Sequence, residues 1–460
     1  MLFSSIPFLF YFLPAALGLY FLAPRRMKNG VLLLCSLFFY GWGEPKYLIL
    51  MLVSVAQGYG FGLLIEKCRK HAKLFLSLSV AVSLLLLGYF KYADFFLSSF
   101  HAVTGISVPA LQIALPIGIS FYTFQILSYV VDVYRRDTPA QRNFIDLAAY
   151  ISMFPQLIAG PIVRYTDVAA QLKNRTHTLS GAAAGVRRFI LGLAKKILLA
   201  NVLGQLVQEF QAAQSPDVLY HWLYALAFML QIYFDFSAYS DMAIGLGRIL
   251  GFSFPENFDY PYCSASITEF WRRWHISLGS WFRDYLYIPL GGSRVGRVRL
   301  LCNLLIVWAA TGLWHGAAWN FVLWGLFYAV LLIAEKFFLL PKLKKYPVIG
   351  HIYTLLFVLL GFILFDAPNA ATALTRIAGL VSAPQAASTA SLYALRNYAV
   401  VLLVAIFAAT PLPKRLFSWL QTRLPRLCGV LEPVALLVLL AVGTAYLIDG
   451  SFNPFLYFRF

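Results

Sequence analysis

Long runs without a single charge constrain this chain more than any other feature. No Lys, Arg, Asp or Glu lies between Arg299 and Glu335. Apolar stretches occupy 73–90, 300–334, 348–365, 395–410 and 430–448. A helix that crosses a bilayer needs about 20 predominantly apolar residues. In lipid every backbone N–H and C=O must be satisfied within the protein, so such runs imply helices. The alternating polar-in, apolar-out pattern of a membrane barrel is absent. Only 12% of the 460 residues are charged, against about a quarter in soluble proteins. The expectation is an all-α polytopic membrane protein with about eleven spanning helices.

The net charge is +18, which in a soluble chain would raise the question of nucleic acid. Its distribution excludes that reading. Clusters at 25–28, 67–73, 135–142, 164–196, 248–299, 336–345 and 414–426 hold 32 of the 37 Lys and Arg. No separate basic domain exists, and the clusters alternate with the apolar runs as the positive-inside rule requires. Placing them in the cytoplasm puts the N-terminus outside. Met1–Ala23 then becomes a retained first helix, because it lacks the basic start and small-residue cleavage site of a signal peptide. A hairpin of 30–43 and 47–65 follows, 73–92 rises, and 112–134 returns. Outer loops fall near 209–218 and 366–392, and the C-terminus ends outside.

Two stretches fit badly as spanning helices. Residues 144–162 contain Pro155, Gly160 and Pro161, which interrupt the helical hydrogen-bond ladder. Residues 251–292 are too apolar for a solvated loop and too polar for lipid. Both are read as re-entrant segments buried in protein. Without internal repeats, the chain is treated as one domain, 1–460. Cys35, Cys68, Cys263, Cys302 and Cys428 lack metal or disulfide spacing, and are read as packing residues.

Ionisable groups at membrane depth are costly and draw attention as functional candidates. The block 271–292 reads WRRWHISLGSWFRDYLYIPLGG. On a continuous helix, Arg272, His275, Gly279 and Arg283 share one stripe. Trp271, Trp274, Leu278, Trp281 and Tyr285 share the next. Arginine there suits a phosphate or thioester carbonyl, through the fixed donor fork of guanidinium. The plainer alternative is an interfacial amphipathic helix with Arg reaching lipid phosphates.

The second histidine block, 311–325, reads TGLWHGAAWNFVLWG. Gly312, His315 and Trp319 fall on one helical stripe, and His315 is the basic side chain of an otherwise uncharged run. A neutral imidazole, with an ordinary pKa of about 6.5, takes a proton from an attacking hydroxyl and returns it to a leaving thiolate. The alternative is a hydrogen-bonded packing histidine. Asp235 and Asp241 sit in an apolar run with Ala238 and Gly245 on a similar bearing. A structural ion pair, with Arg272 or Arg283 as candidate partners, is the favoured reading over a direct catalytic role. No metal-ligand spacing, phosphate loop or serine elbow is present.

Taken together, these blocks resemble the membrane-bound O-acyltransferase family, and within it the bacterial alginate O-acetylation type. The resemblance runs through PIGISFYTFQILSYVVDVYR (116–135), FPQLIAGPIVRY (154–165) and YFDFSAYSDMAIGLGRILGFSFPENFDYPY (233–262). It continues through both histidine blocks to the closing NPFLYFRF (453–460). It implies a ring of membrane helices and re-entrant helices around a thin central core, with a funnel on each face. It implies that His315 is catalytic and that His275 is a second functional position. Arg272, Arg283 and Arg294, with Trp271 and Trp274, would then bind the donor.

The resemblance further implies an acyl thioester donor, acetyl-CoA, with no bound cofactor or metal. It implies a polysaccharide acceptor and an extracytoplasmic O-acetyltransferase partner, in a bacterial cytoplasmic membrane. A related branch transfers D-alanine from a carrier protein to teichoic acid. This chain departs from that branch in its PLGG at 289–292 and in its length. Two rivals from other classes are a polysaccharide transporter and a non-catalytic scaffold. A transporter should show paired halves with matching broken helices, and none is visible.

Overall fold

The structure is a computed structural model that describes residues 1–449 and Leu456. Apart from Leu456, the closing NPFLYFRF motif lies outside the described residues, as does the side on which the chain ends. Among the described residues the chain is helical and contains no strand. Among the described residues eight helices are long and apolar enough to cross a membrane: Pro45–Lys67, Arg69–Thr104, Leu179–Ala212, Arg297–His315, Trp319–Lys345, Pro347–Asp366, Thr389–Ala408 and Pro425–Ile448. Pro7–Leu22 and Ala370–Ser382 are shorter apolar helices. The 32-residue helix Val218–Ile249 carries Asp235, Asp241 and Arg248 in an otherwise apolar run. The chain is a multi-pass membrane protein.

It divides into two compact units. The first comprises residues 1–189 and 240–255. Gly58 and Gly62 of helix Pro45–Lys67 admit Ile126 and Tyr129 of helix Ile119–Arg135, since a Cβ on either glycine would crowd those side chains. That second helix starts at Ile119, later than the sequence pattern indicated. The preceding Pro116 lacks an N–H, and Gly118 stands at φ +78°, so the helical ladder cannot extend back through them.

The 144–162 stretch is broken as its prolines require. A nine-residue helix, Phe144–Ser152, gives way to buried irregular backbone. That backbone is satisfied by protein: Ser36 Oγ accepts from Phe154 N at 3.1 Å, Tyr150 Oη donates to Val163 O at 2.9 Å, and Gln156 Nε2 donates to Tyr150 O at 2.6 Å. Asp241 pairs with Arg188 at 2.8 Å. The ion-pair reading of Asp241 therefore holds, but its partner is neither Arg272 nor Arg283.

The second unit comprises residues 190–239 and 256–460. We label its site-forming helices α1 (Ile267–Arg273), α2 (Ile276–Phe282), α3 (Arg297–His315) and α4 (Trp319–Ala334). The apolar run 300–334 forms two helices rather than one stripe. α3 ends at His315, Gly316 is extended, and α4 begins at Trp319. The hairpin is held close by glycine. A Cβ on Gly312 would overlap the Phe321 carbonyl, and one on Gly325 would overlap the Trp308 carbonyl. Small residues at a crossing let membrane helices approach and pack by dispersion. The expected Gly312–His315–Trp319 stripe is therefore interrupted by the turn that places His315 at a helix end.

Candidate active site

The WRRWH block is also not one helix. His275 stands between α1 and α2 at φ +45°, ψ +54°, the left-handed region that non-glycine residues seldom occupy. The stripe pattern read from a continuous helix consequently fails. The segment Asn257–Asp259 holds the break open: Phe258 and Trp274 form an antiparallel bridge, Asp259 N donates to Arg273 O at 3.0 Å, and Ile276 N donates to Asn257 O at 3.0 Å. Backbone held in a sparsely populated conformation by its surroundings is a common feature of functional sites.

Asn257 also fixes the imidazole. Its Oδ1 accepts from Ser277 N at 3.2 Å, which identifies that atom as the amide oxygen. It accepts from Ser277 Oγ at 2.9 Å and lies 3.1 Å from His275 Nδ1. An amide oxygen only accepts, so Nδ1 carries the proton. In the neutral ring, Nε2 is then the basic nitrogen. Phe236 packs edge-on against the ring at 4.6 Å between centroids.

His315 is buried in an aromatic enclosure. Its ring centroid lies 5.0 Å from Trp314, 5.1 Å from Trp324 and 5.5 Å from Phe365, each nearly perpendicular. Trp314 also lies 5.8 Å from His275, so one indole touches both histidines. An enclosure of this kind leaves little room for water around the imidazole.

The two histidines line different cavities. His275 lines a cavity of about 580 Å³ with Trp271, Arg272, Trp274, Arg283 and Thr311. His315 lines one of about 20 Å³ with Asp235, Trp274, Trp324 and Leu456, which is room for about one water. Trp274 borders both. The larger cavity meets a third, of about 370 Å³, at Thr268 and Arg272, where Glu269 and Lys344 also contribute.

Of the expected donor-binding residues, Trp271, Trp274, Arg272 and Arg283 are brought together. Arg294 is not. It is exposed in the turn that precedes α3 and lines none of these cavities. Arg283 is already matched, since its Nε lies 2.7 Å from Asp284 Oδ1 and its Nη2 lies 3.1 Å from Oδ2. This neighbouring carboxylate raises the guanidinium above its ordinary range. Arg272 has no hydrogen-bonded carboxylate among the described residues, so its donors are available to a ligand.

Asp235 does form the buried ion pair expected of it, but with Lys196 at 2.6 Å. Both side chains are at most 4% exposed. Asp235 Oδ2 also accepts from Leu456 N at 2.8 Å. Lys196 was grouped by charge with the cytoplasmic clusters. Its burial against Asp235 spares it the cost of a lone desolvated ammonium.

Sequence reasoning missed Asn257, Lys344 and Glu335 as well. Glu335 is fully buried and accepts from Ile267 N at 2.6 Å, Thr268 N at 2.8 Å and Thr268 Oγ1 at 2.6 Å. It thereby satisfies the first donors of α1 and anchors the helix that carries Trp271 and Arg272. Its position at the close of a long uncharged run was a signal, though nothing local revealed its partner.

The site is thus a pair of buried imidazoles on a polytopic helical scaffold, His275 on a large aromatic-lined cavity and His315 on a small one. The sequence profile of MBOAT, the membrane-bound O-acyltransferase family, matches residues 96–374. That span contains both histidines and all the cavity-lining residues named above except Leu456. The chain belongs to the membrane-bound O-acyltransferase family, and it is an acyltransferase.

Its relatives agree. The probable alginate O-acetylase AlgI of Pseudomonas syringae pv. tomato is 47% identical over 80% of this chain and 73% of its own length. The protein of the same name from Azotobacter vinelandii is 40% identical over 100% of both chains. The peptidoglycan O-acetyltransferase of Helicobacter pylori is 35% identical over 83% of this chain and 80% of its own.

Proposed function

We propose that this protein carries an acetyl group from a cytoplasmic thioester, acetyl-CoA, across the bacterial inner membrane for O-acetylation of an alginate-like polysaccharide. It acts as one domain, a ring of helices with a funnel from each face, and an exported O-acetyltransferase completes the transfer to the polymer. One observation carries the reading. His275 lines a cavity large enough for an acyl thioester arm, His315 lines a separate compartment, Trp274 borders both, and the Trp314 indole packs against both imidazoles. The names of the relatives supply the acyl group and the polymer class.

In this reading the donor's acyl arm occupies the larger cavity between Trp271 and Trp274, with its phosphates at Arg272 and Lys344. His315 accepts the proton of an acceptor hydroxyl as that oxygen attacks the thioester carbonyl. The C–S bond breaks, and the proton passes to the departing thiolate. His275, with Nδ1 held by Asn257, orients the donor and meets the charge that develops on the carbonyl oxygen. Moving only the acetyl group avoids taking the charged donor through lipid.

The test is the O-acetyl content of extracellular polysaccharide in cells carrying wild type or His315→Ala at equal membrane levels. Loss of acetyl esters with protein retained is expected. Unchanged acetylation would remove His315 from the chemistry and favour a transporter or scaffold.

A further inference from the structure

In the first unit, cations from two distant chain segments gather around Tyr20, which is 1% exposed. Lys28 Nζ donates to the Tyr20 carbonyl at 2.9 Å and lies 4.4 Å from the Tyr20 ring centroid. Arg175 stacks over Phe252 at 4.5 Å and lies 5.6 Å from Tyr20. His177 Nε2 lies 3.0 Å from Tyr20 Oη, and that hydroxyl donates to Leu250 O at 2.8 Å. Aromatic faces, carbonyls and the Tyr20 hydroxyl hold these groups, and among the described residues no carboxylate forms an ion pair with Lys28 or Arg175. The nearby Asp146 accepts from Asn29 at 2.7 Å.

Like charges held together in this way repel. His177 is pushed below its ordinary range, first by burial and then by Lys28. The Arg175 guanidinium meets the Tyr20 hydroxyl and feels the charge of Asp146, but its Nη1 is buried without a hydrogen-bond partner, which leaves one charged donor unsatisfied. Beside the cluster, Leu19, Phe21 and Leu22 expose apolar side chains, as a lipid-facing helix end does. The cluster also belongs to the cytoplasmic side by the positive-inside distribution. Phosphate chemistry fits it, because guanidinium and ammonium supply charge-assisted donors to phosphate oxygens.

We propose that Lys28, Arg175 and His177 bind the phosphate of an anionic phospholipid headgroup whose acyl chains lie along Leu19 and Leu22. The site is separate from the residues assigned to acyl transfer. It seats a lipid that secures the end of the first helix against the segment 174–178 and residues 250–252.

Native mass spectrometry of the full chain, released from nanodiscs of equal phosphatidylglycerol and phosphatidylcholine, tests this. Wild type is expected to retain phosphatidylglycerol preferentially. Lys28→Gln/Arg175→Gln should lower that preference roughly tenfold or more, since each basic residue near an anionic surface contributes appreciably. Arg175→Lys, which keeps the charge, should preserve most of it. If the double variant cannot be extracted, Lys28→Gln alone should show a drop of about fivefold.

Equal retention by wild type and the charge-removing variant would overturn the proposal, as would equal retention of the two lipids by wild type. Displacement of phosphatidylglycerol by millimolar inorganic phosphate would reassign the site to free phosphate and overturn the lipid reading.

Discussion

The amide oxygen of Asn257 lies 3.1 Å from His275 Nδ1 and also accepts from the backbone N–H and hydroxyl of Ser277. One side chain thus sets the tautomer of an imidazole and stabilises the left-handed turn that presents it. Asn257→Leu keeps the branched shape but removes the acceptor shared by Ser277 N, Ser277 Oγ and His275 Nδ1. Acetyl transfer is expected to fall at least tenfold, since each unmatched buried group costs about 1–3 kcal/mol. Asn257→Asp, which keeps an acceptor there, should recover part of the rate. Assays on membranes with matched protein levels separate the two, and an unaffected Leu variant would show that the tautomer is irrelevant.

Lys196 and Asp235 form a buried pair at 2.6 Å beside the His315 cavity. Lys196→Met strands a carboxylate, and removing one partner of such a pair costs about 3–5 kcal/mol. Lys196→Met/Asp235→Leu removes both charges and should be more stable than Lys196→Met alone. Thermal unfolding of the detergent-purified variants completes the cycle. Additive losses would mean that the two residues are energetically independent.

The hairpin turn that presents His315 depends on Gly312, where any Cβ meets the Phe321 carbonyl. Backbone cannot yield as a flexible side chain can. Gly312→Ala should therefore destabilise by about 1–3 kcal/mol and depress activity through displacement of His315. Gly18 has open space around it, so Gly18→Ala serves as the neutral control. Indistinguishable melting curves for the two would contradict the close-crossing argument.

Donor binding should discriminate among the arginines. Arg272→Gln and Lys344→Gln are each expected to raise KM for the proposed donor, acetyl-CoA, about tenfold with little change in kcat, the signature of lost ground-state binding. Arg283→Gln should do less, because Asp284 already engages that guanidinium, and Arg294→Gln should do nothing. A KM effect at Arg294 equal to that at Arg272 would place the donor's phosphates elsewhere.

The membrane class and helical nature of the chain, together with the two histidine blocks, were legible in the sequence because each depends on local properties. An uncharged run long enough to cross lipid must form a helix whatever its neighbours are. The positions of Pro155, Gly160 and Pro161 announced a break in 144–162 for the same local reason. Pattern reading failed where a helix was assumed to continue. The stripes drawn through His275 and through His315 required unbroken 3.6-residue periodicity, and both histidines stand at breaks.

Those breaks come from partners far along the chain. Asn257 reaches His275 across 18 residues, Glu335 reaches Ile267 across 68, and Leu456 N reaches Asp235 across 221. No periodicity encodes such pairings. By itself the sequence determined that the chain is helical and membrane-embedded, because hydration and backbone satisfaction are settled residue by residue. Only the tertiary structure decided which buried charges pair, which arginine stays available and which nitrogen of His275 holds its proton, because each depends on distances that exist only after distant segments have packed.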